Sequence, residues 1–255
     1  MQYHSGLIYS SCPMLNSKGF FTGGDDCKIY AIDLVGNPLL VYEGHSKIVN
    51  SLSQCVPNEV VSGSWDGTAR VWDVETGKCK HILADHTHAV CTAAFPDGLI
   101  VTGSQDKQIN LWKDGKKILS FKAHEDIIRE IKPIGELGFA SCSNDESIKL
   151  WDLKGNLLQT MKGHNGFVYA LGRSPSGEIL SGSEDNTVKT WKNGAFTDSI
   201  THPGTIWSLT TNQSGDIITA CEDKTVRVFT RDTKRAAPEL IQQEYKNKCV
   251  AKSAE

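Results

Sequence analysis

A histidine, a hydroxyl and a carboxylate recur together along this 255-residue chain, and these are the parts of a nucleophilic triad. The sets are His45, Ser62 and Asp66; His86, Thr102 and Asp106; His124, Ser141 and Asp145; and His164, Ser181 and Asp185. In a triad the imidazole takes the hydroxyl proton as the oxygen attacks, and the carboxylate holds the imidazole in place. The spacing argues against that chemistry. The set occurs four times, there is no Gly-x-Ser-x-Gly elbow, and no oxyanion-hole element is recognisable. A constellation that returns once per repeat reads as a building block rather than a nucleophile. Six residues after each Asp stands an indole: Trp72, Trp112, Trp151 and Trp191.

The element that positions these groups is a hairpin. Val61–Asp73 reads as two short strands joined by Asp66-Gly67, with alternation resuming after the turn. A turn centred on Gly67 would place Ser62 directly opposite Trp72. The turn Asp returns as Asp26, Asp66, Asp106, Asp145, Asp185 and Asp223, at intervals of 40, 40, 39, 40 and 38. A hydroxyl sits four residues before each, from Thr22 to Thr219, and His202 and His4 extend the histidine series to six. This period, with Gly-His early and Trp-Asp late, resembles the WD40 repeat, whose units are four-stranded blades of a β-propeller. The resemblance implies that His, Ser or Thr, Asp and Trp of each repeat form one hydrogen-bonded tetrad. Four tetrads are complete: His45, Ser62, Asp66, Trp72; His86, Thr102, Asp106, Trp112; His124, Ser141, Asp145, Trp151; and His164, Ser181, Asp185, Trp191. Asp145→Ala is expected to cost about 2 kcal/mol or more, by stranding buried partners. Ile32 and Phe229 replace the indole in the first and last repeats, so those blades are expected to be looser.

The fold class expected is all-β, with six recognisable blades. Strands follow in the same order in each, and Pro96-Asp97-Gly98, Pro175-Ser176-Gly177 and Ser214-Gly215-Asp216 mark turns. The sixth repeat has three strands and no outer one. The propeller is expected over residues 1–231, followed by a charged and helical tail or linker over 232–255, with a Pro-started helix at Pro238–Tyr245 and a polar tail after it.

A formal net charge of −3, with scattered Lys and Arg, gives no basic stripe for nucleic acid. No apolar run approaches a membrane span, and Met1–His4 lacks signal-peptide character. The eight cysteines include no Cys-x-x-Cys pair and the histidines follow the repeat, so no metal site, no cofactor and a reducing compartment are expected.

Recognition in such a fold falls to positions where the repeats differ. The residue before each turn Asp is expected to point out on one rim: Asp25, Trp65, Gln105, Asn144, Glu184 and Glu222. By analogy with WD40 proteins, the residues three and five past each His join them. These are Leu7 and Tyr9, Ile48 and Asn50, Ala89 and Cys91, Ile127 and Arg129, Phe167 and Tyr169, and Thr205 and Trp207. Aromatic anchors with an acidic surround suit a protein partner whose apolar patch is edged by basic residues. Phe167 and Tyr169 are equally compatible with plugging a central channel.

Gly44–Leu52, Ser62–Trp72, Gly177–Trp191 and the last repeat, Ile206–Phe229, resemble the phospholipase A2-activating protein family over about 230 residues. Its specific signature is Phe229 in place of Trp. The resemblance implies a seven-bladed propeller whose rim binds ubiquitin, in a non-catalytic adaptor of ubiquitin-dependent degradation located in the cytoplasm and the nucleus. In the family, later domains bind ubiquitin and the ubiquitin-segregating AAA ATPase. Here the first blade and both later domains are not recognisable, which detaches the ATPase from this stretch. The alternative is a general WD40 scaffold for a peptide unrelated to ubiquitin, using the same rim.

Overall fold

Alternating apolar residues and repeated tight turns build six antiparallel sheets. The computed structural model describes residues 3–252, so Met1, Gln2 and residues 253–255 of the expected propeller and tail lie outside the described residues. Two compact units divide after Pro133. The first sheet is β1 (Ile8–Pro13), β2 (Gly19–Gly24), β3 (Ile29–Asp33) and β4 (Pro38–Tyr42). The second is β5 (Val49–Val56), β6 (Glu59–Ser64), β7 (Thr68–Asp73) and β8 (Cys79–Ala84). The third is β9 (Val90–Ala94), β10 (Leu99–Ser104), β11 (Gln108–Lys113) and β12 (Lys116–Lys122). Then come β13 (Ile128–Pro133), β14 (Phe139–Ser143), β15 (Ser147–Trp151) and β16 (Leu157–Lys162). The fifth sheet is β17 (Val168–Arg173), β18 (Ile179–Ser183), β19 (Thr187–Lys192) and β20 (Ala195–Thr201). The sixth is β21 (Ile206–Thr211), β22 (Ile217–Cys221) and β23 (Val226–Phe229), and the described chain ends in α1 (Glu239–Lys252). Within each sheet the strands lie in chain order, four to a sheet except for three in the last. This is a six-bladed, all-β WD40 propeller with little helix.

The apolar core lies between successive sheets. In the first unit Phe21, Ile29, Tyr42, Val49 and Trp72 join sheets one and two, and Val61, Val71, Leu83, Val90 and Trp112 join two and three. In the second unit Leu180, Val188, Ile206, Leu209 and Cys221 join sheets five and six. The close approach requires glycine at Gly182, where an added Cβ would fall 2.6 Å from Ile206 Cγ2.

The hairpin register differs from the sequence expectation. Ser62 pairs with Arg70 and Trp72 with Val60, so the turn centres on Asp66 rather than Gly67. Trp72 reaches Ser62 diagonally, which an indole is long enough to do. In all six hairpins the residue after the turn Asp has a left-handed backbone: Cys27, Gly67, Lys107, Glu146, Asn186 and Lys224. Only one of these is glycine. The Asp carboxylate offsets the strain by accepting the next backbone N–H, as from Thr68 at 2.9 Å, Gln108 at 3.0 Å and Thr187 at 3.0 Å.

The C-terminal segment is the second departure. The helix does not stop at Tyr245 but runs to Lys252, through residues expected to be a polar tail. It is also held to sheets five and six. The Tyr245 hydroxyl donates to the Thr201 carbonyl, and its ring lies 5.7 Å from Phe229 and 6.2 Å from His202. Arg227 sits 5.3 Å over that ring. In sheet five, Phe196 of the outer strand lies 6.0 Å from Trp191 with Lys189 5.5 Å above it. Tyr245 thus does for the three-stranded sheet what an outer-strand aromatic does for a complete one.

Candidate binding rim and the tetrads that frame it

In the second sheet Trp72 Nε1 donates to Ser62 Oγ at 2.8 Å, Ser62 Oγ lies 2.7 Å from His45 Nε2, and His45 Nδ1 lies 2.7 Å from Asp66 Oδ2. An indole N–H only donates and a carboxylate only accepts. With a neutral imidazole, the hydroxyl therefore donates to Nε2 and Nδ1–H donates to Asp66. The third sheet repeats this through His86, Thr102, Asp106 and Trp112 at 2.8–2.9 Å, and the fifth through His164, Ser181, Asp185 and Trp191 at 2.7–2.8 Å. In the fourth, Trp151 Nε1 donates to Ser141 Oγ at 2.8 Å, Asp145 accepts from Ser147 Oγ at 2.6 Å, and His124 is fully buried. Each Ser or Thr hydroxyl is buried under an indole, so none is open to a substrate.

Burial alone would raise the Asp66 carboxyl. The hydrogen bonds from His45 and Thr68 outweigh it and hold the carboxyl well below the usual range. Asp106 and Asp185 are lowered in the same way, against burial, by His86 and by His164 with Thr187.

The first and last repeats depart in different ways. His4 completes a three-membered chain, with Nδ1 2.9 Å from Asp26 Oδ1 and Nε2 2.9 Å from Thr22 Oγ1. His202 keeps its contact to Thr219 at 3.0 Å, but its Nδ1 donates to the Ile200 carbonyl at 3.2 Å. Asp223 instead pairs with Arg227 through both carboxylate oxygens. Burial, with no carboxylate on its ring, pushes His202 down to about 4.

A second latch escapes a reading fixed on the tetrads. Ser64, Ser104 and Ser183, two residues before their Asp, accept its N–H at 3.1 Å. They donate to the loop carbonyls of Lys47, His88 and Gly166 at 3.1, 3.1 and 3.2 Å. Cys221 takes this place in the sixth sheet, with Sγ 3.4 Å from the Gly204 carbonyl. The recurrence of Ser two before Asp is the signal that would have found it.

These latches bring the rim positions together. The residue before the Asp donates its N–H to the carbonyl of the residue three past the His: Asp25 to Leu7, Trp65 to Ile48, Gln105 to Ala89, Glu184 to Phe167 and Glu222 to Thr205, at 2.9–3.1 Å. Among these, Trp65, Glu184 and Glu222 are exposed, while Asp25, Ile48 and Phe167 are half-buried. Asn144, expected outside, is only 8% exposed, and Ala89 and Thr205 are likewise buried.

The position five past the His is decided by a β-bulge. Tyr9, Asn50, Tyr169 and Trp207 are the extra residues where the first strand slips against the second. Sheet three has no slip there: Cys91 pairs with Gly103 in regular register, its side chain is buried, and burial pushes its thiol up to about 12. Cys91 therefore does not face the rim. Asn50, though bulged, is turned to structural use, its amide nitrogen donating to the Val90 and Gly63 carbonyls at 3.1 Å. Arg129 and Ile127 are half-buried.

Two aromatic clusters result, one in each unit. In the first, Tyr9 and Trp65 are 44% and 43% exposed, with ring centroids 6.0 Å apart. In the second, Tyr169 lies 6.3 Å from Phe167 and 4.7 Å from Trp207, which is 53% exposed. No group of metal-ligating side chains is present among the described residues, and no described helix is long and apolar enough to cross a membrane.

Comparison with known proteins extends the geometry. The family model described as WD domain, G-beta repeat matches residues 36–73, 77–113, 115–152, 155–192 and 195–230. The chain is 35% identical over 206 residues to the ubiquitin homeostasis protein lub1 of Schizosaccharomyces pombe, covering 78% of this chain and 28% of that protein. It is 37% identical over 175 residues to protein DOA1 of Saccharomyces cerevisiae, covering 65% of this chain and 24% of that one. The nuclear distribution protein PAC1 of Arthroderma otae is 31% identical over 168 residues, with 58% of this chain and 36% of that protein covered. The chain thus spans about a quarter to a third of the length of these relatives. The crystal structure of the WD40 β-propeller domain of Doa1 superposes with a TM-score of 0.85 at 36% identity, over 92% of this chain and 82% of that one. The repeated tetrads, the six sheets and these matches together make the chain a member of the WD40-repeat family, homologous to the propellers of Lub1 and Doa1.

Proposed function

We propose that this chain is a non-catalytic ubiquitin-binding propeller of the phospholipase A2-activating protein type, acting in ubiquitin homeostasis and ubiquitin-dependent degradation or sorting. The observation that carries this reading is the exposure of large aromatics at bulges and turns, Tyr9, Trp65 and Trp207, in a chain homologous to a ubiquitin homeostasis protein. Exposed aromatics held on rigid backbone are the usual anchors of a protein interface. Ubiquitin offers a small apolar patch edged by Lys and Arg, which complements Tyr9, Trp65 and Asp25 in the first unit and, separately, Trp207, Glu184 and Glu222 in the second. Ile48 widens the apolar surface of the first unit, where Asn50 serves by fixing the sheet, and Phe167 and Tyr169 widen that of the second. The ATPase contact belongs to domains that longer family members carry, and the site of action is the cytoplasm and nucleus.

Titration of ubiquitin against Trp65→Ala and Trp207→Ala tests the reading. Each variant should bind at least about tenfold more weakly, or about 1.4 kcal/mol. Wild-type affinity in both variants removes ubiquitin from these rings. A scaffold for another peptide then becomes the better account.

A further inference from the structure

We propose that Tyr9, Trp65 and Asp25 form a corner that takes the cationic head of a partner's arginine or lysine side chain. The inference rests on the partner-binding reading above and specifies what this part of the surface recognises. It begins with two rings that pack against each other at the surface. Neither belongs to a core cluster, and both are more than two-fifths exposed. Their backbones are nevertheless fixed. Tyr9 is the bulged residue of β1, and Trp65 heads the β6–β7 turn with its N–H on the Ile48 carbonyl at 3.0 Å. The planes meet at 58° with centroids 6.0 Å apart, so the rings are tilted against each other and not stacked.

Aromatic faces are electron-rich, and a cation within about 6 Å of a ring centroid is attracted to them. The rest of the molecule uses the same contact internally: Arg70 lies 5.7 Å from the Trp72 ring and Lys189 5.5 Å from Phe196. A carboxylate comes from the turn of the same sheet, its side chain packed against Gly6, three residues before Tyr9. Asp25 N–H donates to the Leu7 carbonyl at 3.0 Å, two residues before Tyr9, and its Oδ1 lies where a Cβ on Gly6 would be, 2.0 Å away. The turns of sheets one and two share this neighbourhood. The Cys27 thiol is raised by burial, then by the charges of Asp26, Asp66 and Asp25 together. A basic side chain can meet both the rings and the Asp25 carboxylate, whereas an apolar one meets only the rings.

The test reads the indole N–H signals of isotopically labelled protein, with Trp65 assigned by Trp65→Phe. N-acetyl-arginine amide is the probe and N-acetyl-leucine amide the apolar control. The Trp65 signal should move with the arginine probe and not with leucine, while the buried Trp72 signal stays fixed. Asp25→Asn should weaken the arginine response about two- to fivefold, with the Trp72 and Trp112 signals reporting an intact fold. Equal response to leucine, no response to arginine, or an unchanged response in Asp25→Asn overturns the proposal. Ubiquitin takes no part in this measurement, so its failure is separate from a failure of the ubiquitin titration.

Discussion

The turn aspartates carry much of each blade's polar order. Asp66 accepts from His45, from the Ser46 N–H at 3.1 Å, and from both the N–H and hydroxyl of Thr68 at 2.9 and 2.6 Å. Removing it strands the buried His45 and the half-buried Thr68 donors at once. Asp66→Ala should therefore lower stability by about 2 kcal/mol or more, measured by chemical denaturation. A Trp72→Phe change keeps most of the packing but leaves Ser62 without its indole N–H, and should cost less, about 1 kcal/mol. The two kinds of titrating group also separate by pH. His202 has a folded value of about 4 against about 6.5 unfolded, so the unfolded chain binds a proton that the folded chain does not. Its stabilisation is complete above about pH 6.5 and is lost as pH falls toward 4, to the extent of about 3 kcal/mol. Asp66, Asp106 and Asp185 are depressed instead, so their contribution holds above the unfolded carboxylate value and is lost only as pH falls below it. Denaturation at stepped pH should show the first loss between about 6.5 and 4, absent in His202→Gln, and the second below about 4.

At the scale of elements, the hairpin turn is the unit under strain. Lys224 follows Asp223 with φ of 64°, a region where a side chain is disfavoured. Lys224 is exposed, and Lys224→Gly should stabilise the protein by about 0.5–1 kcal/mol, a rise of a few degrees in melting temperature. Position 67, with φ of 83°, is already glycine. The bulges are the other element-scale device. They turn Tyr9, Tyr169 and Trp207 out, and their absence from β9 leaves Cys91 inside. Helix α1 is held to sheets five and six chiefly through Tyr245 and Cys249, residues 239–244, 246–248 and Val250 being exposed. Tyr245→Ala should release it, read as loss of helical circular dichroism and fast cleavage after Lys246 or Lys248.

Across the whole molecule, stability should follow burial. β10 is buried along its full length, while Val226 and Val228 of β23 are 71% and 61% exposed. Amide hydrogen exchange should be slowest in β10 and fastest in β23 and α1, because local opening costs least where fewest apolar contacts are lost. Uniform protection would mean that the last sheet is held by something the described residues do not show.

The repeat of His, hydroxyl, Asp and Trp was enough to fix the number and order of the sheets, because a side-chain period of about 40 residues is a local, additive signal. The three-stranded last sheet was equally plain, from the loss of alternation after Phe229. Three features needed the folded chain. One is that the turn centres on Asp66, because a one-residue slip in register leaves the sequence pattern unchanged. Another is that bulges aim Tyr9 and Trp207 outward but not Cys91, because a bulge depends on how two strands twist together and not on the bulged residue's type. The last is that Tyr245 packs on the sixth sheet, because a contact between residues 229 and 245 leaves no periodic trace in either segment. Pattern along the chain set the architecture; pairing across it chose which residues reach solvent.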